Sequence, residues 1–288
     1  MIIRAVGGFY DVKTADGEEY RCRARGRLKK TNTGIYVGDY VRFTRLSDQE
    51  GVLEEIEPRR THLLRPQVSN VDQVIIVCAP QNPPLSLQLL DRLLVLAEAQ
   101  QLRSVICVNK EDLRLDDLAD FHHLYSSLAG YTVLFTSAKY NQGIDQLRQE
   151  LNERVSVLAG PSGVGKSSLL NRLQPGLELR TAAVSEKSKQ GRHTTRHVEL
   201  LSLDSGGLIA DSPGFSQLEL IGISSNNLAF YFPEFFQYIV DCRFTSCTHQ
   251  GEPACAVREA VGAGKLTHSR YDNYLFFLHE IKQQERSY

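Results

Sequence analysis

The sequence predicts a multidomain α/β protein: an N-terminal OB-type β-barrel, a central parallel sheet with helices on both faces, and a C-terminal α-helical domain that holds zinc. Short β-prone runs separated by Asp-Gly, Thr-Gly and Ser-Asp turn signals fill residues 1–65. Apolar runs then alternate with segments of helical spacing as far as residue 222, as in parallel sheets covered by helices. Three cysteines and a histidine follow within fourteen residues. We therefore place the domain boundaries at residues 1–66, 67–222 and 223–288.

The composition is that of a globular protein. The chain has 288 residues, of which 42% are hydrophobic, enough for at least one full core. Its net charge of −1 says little about partners, but residues 1–45 carry ten Lys and Arg against five Asp and Glu. No apolar run approaches the ~20 residues of a membrane span, and the N-terminus lacks a signal-peptide core. We expect a soluble cytoplasmic protein, and a monomer by default.

The N-terminal part contains several predicted strands and a run of alternating basic residues. The strands include Ile2–Val6, Tyr20–Leu28, Tyr40–Leu46 and Gly51–Ile56, and a small barrel such as the five-stranded OB type closes them economically. Within the second strand the basic residues recur at every second position: Arg21, Arg23, Arg25, Arg27 and Lys29. On a strand they would share one face and form a cationic stripe suited to RNA phosphates. A solvated outer strand face is the alternative interpretation.

The central part alternates strands and helices. The predicted strands are 71–78, 104–108, 131–135 and 155–159, and the predicted helices are 86–100, 116–128 and 144–153. Cys78 and Cys107 lie inside these apolar runs, where we expect buried structural thiols.

A phosphate-binding loop follows the last of these strands. Residues 160–167 read Gly-Pro-Ser-Gly-Val-Gly-Lys-Ser, between a buried strand and a helix start. Main-chain N–H groups and the helix N-terminus would hold the β-phosphate. Lys166 would neutralise the β- and γ-phosphate oxygens, and the Ser167 hydroxyl would bind Mg²⁺.

A guanine-binding motif lies upstream of that loop. Residues 109–112 read Asn-Lys-Glu-Asp at one strand end, and Ser137-Ala138-Lys139 stand at the next. Asp112 could accept hydrogen bonds from guanine N1–H and its amine, a donor pair that adenine lacks. Asn109 and Lys110 would brace the loop, and the Ala138 N–H would reach guanine O6. The full set expected to contact GTP is Asn109, Lys110, Glu111, Asp112, Ser137, Ala138, Lys139, Gly160, Pro161, Ser162, Gly163, Val164, Gly165, Lys166, Ser167, Ser168, Asp211 and Gly214.

A second strand end is predicted to sense the γ-phosphate. Asp211-Ser-Pro-Gly214 follows an apolar strand, where Asp211 would hold Mg²⁺ through water and the Gly214 N–H would bind the γ-phosphate. Thr195 is the candidate to close over Mg²⁺, with Thr194 as the alternate and ordinary loop threonines as the plain alternative.

The residue that orients the attacking water differs from the usual one. Phe215 stands where many GTPases place a glutamine, so the water must be oriented by another group. His193 is our hypothesis, acting with Lys166 and Thr195, and a solvated loop histidine is the alternative. We expect slow intrinsic turnover that a partner raises.

The order of these motifs predicts a circularly permuted GTPase domain, since the guanine-binding motif usually follows the phosphate loop. Permutation preserves such a site, because all the nucleotide loops emerge at the carboxyl ends of the strands. Cutting one surface connection and joining the old termini leaves those positions intact.

The C-terminal part contains a candidate metal site with the spacing Cys-x4-Cys-x-His-x5-Cys. Cys242, Cys247, His249 and Cys255 supply a complete tetrahedral set, typical of a closed structural Zn²⁺ site. Incidental reduced cysteines are the alternative. An aromatic stretch precedes the cluster, and Tyr271–Gln284 has the spacing of a closing amphipathic helix.

Taken together, these motifs resemble the ribosome small subunit-dependent GTPase A family of bacteria. The resemblance covers essentially the whole chain, and permuted motif order together with the cysteine and histidine spacing carries it. It implies a factor that binds the small ribosomal subunit and its rRNA late in maturation and hydrolyses GTP there. His193 matches the loop position proposed for catalysis in the family. Some members carry a longer basic N-terminal extension, so ribosome contacts attributed to that extension are in question here.

Two other functions are compatible with parts of the sequence. A P-loop small-molecule kinase would share the phosphate loop, but it would not need a guanine-binding motif at residues 109–112 and 137–139. An RNA-associated protein with a vestigial phosphate loop would not need intact Lys166, Ser167 and Asp211.

Overall fold

The computed structural model describes residues 1–29, 34–64, 66–113, 118–175, 198–211 and 219–286. The strands among these residues are β1 (Ile2–Val6), β2 (Phe9–Lys13), β3 (Glu19–Ala24), β4 (Val41–Arg45), β5 (Glu50–Ile56), β6 (His62–Leu64), β7 (Gln67–Ser69), β8 (Gln73–Cys78), β9 (Arg103–Val108), β10 (Thr132–Phe135), β11 (Val155–Ala159), β12 (Glu199–Ser202) and β13 (Leu208–Asp211).

The helices are mostly short. They are α1 (Gly26–Lys29), α2 (Leu87–Ala99), α3 (Leu118–His122), α4 (Ile144–Leu151), α5 (Lys166–Leu173), α6 (Phe236–Ile239), α7 (Ala256–Gly262) and α8 (His268–Arg286). A π-helical stretch, His123–Leu128, continues α3, and 3₁₀ turns span Glu111–Leu113, Leu228–Tyr231 and Pro233–Phe235. No helix in the described ranges is long and apolar enough to cross a membrane.

The first five strands confirm the predicted OB-type barrel. They follow the order β1-β2-β3-β5-β4, with β3 and β5 parallel and the other pairs antiparallel. The main chain of Ile2 exchanges hydrogen bonds with Gly38 and Asp39, immediately before β4, so the series returns to its first strand. Residues of β3 alternate between exposed and buried, which sends Tyr20 and Cys22 into the barrel core.

One predicted strand is too long. Tyr20–Leu28 ends as a strand at Ala24, and α1 follows, where the Leu28 N–H donates to the Arg25 carbonyl. Of the predicted basic stripe, only Arg21 and Arg23 therefore lie on one strand face.

The chain forms two compact units. The first contains residues 1–74, 144–159 and 165–217, and the second contains residues 75–143, 160–164 and 218–288. In the first unit β11 and β13 are parallel, as predicted for the central strands, and β12 joins β13 to β1 through antiparallel pairs. The sheet of this unit is therefore mixed.

The second unit combines parallel strands with the C-terminal helices. β9 and β10 pair in parallel, with Thr132 opposite Val105 and Phe135 opposite Val108. Helix α2 begins at the Ser86 cap, whose hydroxyl accepts a hydrogen bond from the Leu89 N–H. Val95 of α2 is fully buried in a core that it shares with the aromatic residues of the C-terminal segment: Phe232, Phe235, Tyr274 and Phe277.

Candidate functional site

Asn109 connects the guanine-binding motif to two other loops of the second unit. Its side chain is 1% exposed, and its Nδ2 donates to the carbonyl oxygen of Val164 in the phosphate loop at 2.8 Å. Its Oδ1 accepts from the N–H of Ala138 at 3.1 Å and from the Thr136 hydroxyl at 3.2 Å. One buried amide thus fixes three strand-end segments relative to one another.

The Ala138 N–H has a different partner from the one expected. The sequence assigns it to guanine O6, whereas in the structure it donates to Asn109 Oδ1. A bond to O6 requires this N–H to be shared between two acceptors.

Asp112 is exposed at the mouth of the same loop, where a base could reach it. Its Oδ1 accepts from the Ser137 hydroxyl at 2.6 Å, which orients the carboxylate. Main-chain bonds between Ser137 and Gln142 close the second loop, and the Glu111 N–H donates to Thr136 O at 3.0 Å. The Lys139 ammonium lies 4.8 Å from the Tyr140 ring centroid.

Lys110 adopts a left-handed backbone conformation with φ of +59°. Its ammonium donates to the carbonyl oxygen of Asn82, in the segment that joins β8 to α2. This segment also faces the phosphate loop, since a Cβ added at Gly163 would lie 3.6 Å from Pro83 Cδ. Residues 79–86, which we call the β8–α2 segment, are thus a structural support of the candidate nucleotide site that the sequence did not reveal.

The phosphate loop has the backbone that its glycines predict. Gly160 has a φ of +125°, and a Cβ there would lie 2.0 Å from the carbonyl oxygen of Val77. Gly165 caps α5 in a left-handed conformation at +97°. Ser162 and Gly163 are exposed, as are Ser167 and Ser168 at the start of α5. Burial lowers the pKa of Lys166 below its ordinary value of 10.5.

Of the residues predicted to bind Mg²⁺ and the γ-phosphate, only some lie among the described residues. β13 runs parallel to β11, and Asp211 follows Ala210, which pairs with Val157. The main chain of Asp211 therefore lies at the carboxyl end of its strand, as predicted, and its side chain is not among the described ones. His193, Thr194, Thr195 and Gly214 lie outside the described residues.

The four predicted metal ligands come together in the second unit. The ligand atoms of Cys242, Cys247, His249 and Cys255 all lie within 4.8 Å of one another. His249 Nδ1 is 3.6 Å from Cys242 Sγ and 3.4 Å from Cys255 Sγ, so this nitrogen faces the thiols. Three sulfurs and one imidazole at this spacing fit a tetrahedral site, and the donor set suggests a structural zinc.

Burial shifts the pKa values of three of the four candidate ligands. Burial raises the pKa of Cys247 to about 12 and raises that of Cys255, and it lowers the pKa of His249. Without a cation the Cys247 and Cys255 thiols would hold their protons, whereas a divalent metal would stabilise their thiolates beside a neutral imidazole.

Two residues that the sequence did not single out shape the metal loop. The carboxylate of Glu252 accepts hydrogen bonds from the Thr248 hydroxyl and from the N–H groups of residues 248, 250 and 251. The Tyr271 hydroxyl donates to the His249 carbonyl oxygen at 2.6 Å. The sequence signal that could have identified Glu252 is an acidic residue midway between the last two ligands, in the pattern His-x2-Glu-x2-Cys.

The basic residues of the barrel divide into two groups. The guanidinium groups of Arg21 and Arg23 lie 4.6 and 4.7 Å from the Phe9 ring centroid, on the exposed face of β3. Arg25 and Arg27 instead form ion pairs with Glu54 at 2.9 and 3.6 Å. The side chain of Lys29 is outside the described set. The Phe9 pair is therefore the part of the predicted stripe best placed to meet an external polyanion.

Two family models match the chain. The model of the RsgA GTPase matches residues 56–221, and that of the RsgA N-terminal domain matches residues 1–53. The chain is 49% identical over 287 residues to the small ribosomal subunit biogenesis GTPase RsgA of Moorella thermoacetica, covering 100% of this chain and 98% of that protein. The protein of the same name from Alkaliphilus metalliredigens is 45% identical, with 99% and 98% covered.

Solved structures agree with these matches. YjeQ from Thermotoga maritima superposes with a TM-score of 0.87 at 38% identity, covering 98% of this chain and 97% of that chain. YloQ, described as a circularly permuted GTPase, superposes at 0.85 and 38% identity, with 98% and 94% covered. Since the identity extends over the full chain and the motif order and fold agree, this protein belongs to the RsgA family of circularly permuted GTPases.

Proposed function

We propose that this chain binds GTP, hydrolyses it to GDP and phosphate, and acts on the small ribosomal subunit during its maturation. The observation that carries the nucleotide part is Asn109, whose amide joins the guanine-binding motif, the Ala138 loop and the phosphate loop. The ribosomal part is supported by the relatives, which are named small ribosomal subunit biogenesis GTPases.

In this proposal the guanine base lies against the two loops that Asn109 joins. The Asp112 carboxylate accepts from guanine N1–H and the amine, while the Ser137 hydroxyl holds its orientation. Lys110 covers one face of the base and is held by the Asn82 carbonyl oxygen. The N–H groups of residues 160–165 bind the phosphates.

The hydrolytic residues complete the proposed site. Lys166 neutralises phosphate oxygens, and Mg²⁺, which would offset charge on the β- and γ-phosphates, is assigned to Ser167, Thr195 and Asp211. His193 is proposed to orient the attacking water, and the Gly214 N–H to bind the γ-phosphate.

We further propose that the N-terminal barrel and the C-terminal part of the chain contact the small ribosomal subunit or its rRNA. One structural Zn²⁺ would hold the C-terminal loop through Cys242, Cys247, His249 and Cys255. In the barrel, Arg21 and Arg23 are the proposed phosphate contacts, whereas Arg25 and Arg27, which contact Glu54, have a smaller role. Lys29 stays a candidate RNA contact. We propose domains at 1–66, 67–222 and 223–288, a monomeric state, a cytoplasmic location, and a ribosome affinity that changes on hydrolysis.

The decisive experiment measures GTP turnover with and without purified small ribosomal subunits. We expect slow turnover of the chain alone and clear stimulation by the particle. Asp112→Asn should abolish the stimulated activity at low GTP, because an amide cannot accept both guanine hydrogen bonds. If small ribosomal subunits leave GTP turnover unchanged, the chain would be a GTPase with another partner.

The barrel contact needs a separate measurement. For Arg21→Ala/Arg23→Ala, binding to the subunit should weaken and depend less steeply on salt, since two phosphate contacts are lost. Arg25→Ala/Arg27→Ala is the matched control, because both guanidinium groups already contact the Glu54 carboxylate. Equal salt slopes for the two double variants would contradict the assignment.

A further inference from the structure

Helix α2 follows a segment that contacts the nucleotide loops, and one face of the helix contacts the C-terminal segment. The β8–α2 segment, residues 79–86, leads directly into α2 at the Ser86 cap. Asp91, Arg92 and Val95 of α2 point to the C-terminal segment, with Val95 inside its aromatic core. All of these residues belong to the second compact unit.

Asp91 is the centre of a buried polar cluster between α2 and α8. It is 0% exposed, and its Oδ1 accepts from Arg270 Nη1 at 2.7 Å and from the Tyr125 hydroxyl at 2.8 Å. Its Oδ2 accepts from Asn273 Nδ2 at 2.6 Å. Arg270 in turn forms a bidentate pair with Glu234 at 2.6 and 2.9 Å. A buried carboxylate with this many directional partners fixes the position of α2 more tightly than apolar contacts do.

A second ion pair joins the same two helices about two turns beyond Asn273 along α8. Arg92 donates both terminal nitrogens to the Glu280 carboxylate, at 2.9 and 2.5 Å. The Arg92 guanidinium also lies 4.7 Å from the Phe277 ring centroid. Because two planar charge-assisted contacts cross the interface, a shift of α8 moves α2 with it.

The β8–α2 segment, which precedes α2, makes two contacts with the nucleotide loops. The Asn82 carbonyl oxygen receives the Lys110 ammonium, and Pro83 lies beside Gly163 of the phosphate loop. A displacement of α2 therefore reaches both the guanine-binding motif and the phosphate loop.

We propose that Asp91 and its α8 partners are positioning residues, which let the C-terminal helix set nucleotide affinity through the β8–α2 segment. A ribosomal partner that moves α8 would change the affinity for GDP and GTP, and bound nucleotide would change the affinity for that partner by the same factor. The inference rests on the proposed placement of guanine at residues 109–112.

The test uses two neighbouring residues of α8 that each lose one hydrogen bond. Asn273→Ala removes the bond to Asp91, and Tyr274→Phe removes a bond to the Thr248 carbonyl oxygen, away from α2. Affinity for a fluorescent GDP analogue is measured on the full chain, with zinc content and thermal unfolding recorded for each variant. Hydrogen exchange of residues 79–86 is followed in parallel.

We expect Asn273→Ala to weaken GDP binding about threefold or more and to speed exchange in residues 79–86, within the range seen for mutations that alter coupling. Tyr274→Phe should leave both unchanged at the same temperature. Unchanged binding by Asn273→Ala, or an equal loss in Tyr274→Phe, would overturn the inference. Asp112→Asn separates the two questions: if it loses GDP while Asn273→Ala does not, the guanine site stands and the coupling fails.

Discussion

Replacing Asn109 by alanine tests the buried amide that joins the three nucleotide loops. The variant loses bonds to Val164 O, the Ala138 N–H and the Thr136 hydroxyl. The Thr136 hydroxyl retains Cys107 Sγ at 3.4 Å, whereas the main-chain groups of Val164 and Ala138 each lose a buried hydrogen bond. The loss of a hydrogen bond to a buried group costs about 1–3 kcal/mol. The combined loss should therefore be about 3 kcal/mol, which corresponds to roughly a 150-fold change in an equilibrium constant.

That loss is divided between folding stability and nucleotide binding, so urea unfolding at saturating GDP measures the sum. Direct titration with GDP then gives the share that belongs to binding. Ser104→Ala on the adjacent strand β9 is the control, because the Ser104 hydroxyl is buried without a hydrogen-bond partner among the described residues and its removal should cost little. A total loss below about 1 kcal/mol in Asn109→Ala would refute the role assigned to this amide.

Three further changes test other parts of the structure. Gly160→Ala places a Cβ 2.0 Å from Val77 O at a φ of +125°. Because this distorts the phosphate loop, the affinity for GDP measured by titration should fall more than tenfold. Near-normal affinity would contradict the loop geometry. Cys255→Ser should lower the bound zinc and the thermal stability together, and a stable, metal-loaded variant would argue against the cluster. The hydrogen bond from Arg92 lowers the pKa of Glu280 below 4.5, so its stabilising effect is present above that pH and is lost as the pH falls below it. The stability of Glu280→Gln between pH 7 and pH 3 should therefore depend less on pH than that of the unmodified chain.

Local patterns predicted the elements that line the nucleotide site. The strand expected at 104–108 is Arg103–Val108, and the helix expected at 86–100 is Leu87–Ala99. Both have strong local determinants, since the first is a continuous apolar run and Ser86 caps the second. The closing helix was underestimated at both ends, because the polar residues around His268 and Arg286 lack apolar spacing.

The errors have equally local causes. The alternation of basic and apolar residues continues past Ala24, which extended the predicted strand, but the turn closed by the Arg25 carbonyl and the Leu28 N–H ends it. Strand β2 was missed although Gly7 and Gly8, both at positive φ, form the two-residue turn that precedes it.

Some features could not be predicted from any local pattern. Asp91 is a charged residue in the buried part of a helix, and its partner Arg270 follows 179 positions later. The sequence spacing around either residue does not predict that the two form an ion pair. The contact between α2 and the C-terminal helix is therefore known only from the tertiary structure. The same holds for Lys110 and Asn82. Their contact depends on how close the loops that follow β9 and β8 come to each other.

The pairing of β1 with β12 has a consequence for how the protein is made. Arg4 stands opposite Glu199, so the first strand completed on the ribosome waits for one of the last strands of the sheet. At typical elongation rates that delay is roughly 10–40 s. Throughout it, the main chain of β1 near Arg4 presents an open strand edge to other nascent chains. A translation stall or premature stop before residue 199 would therefore release fragments prone to aggregate, a hazard that mature chains do not share.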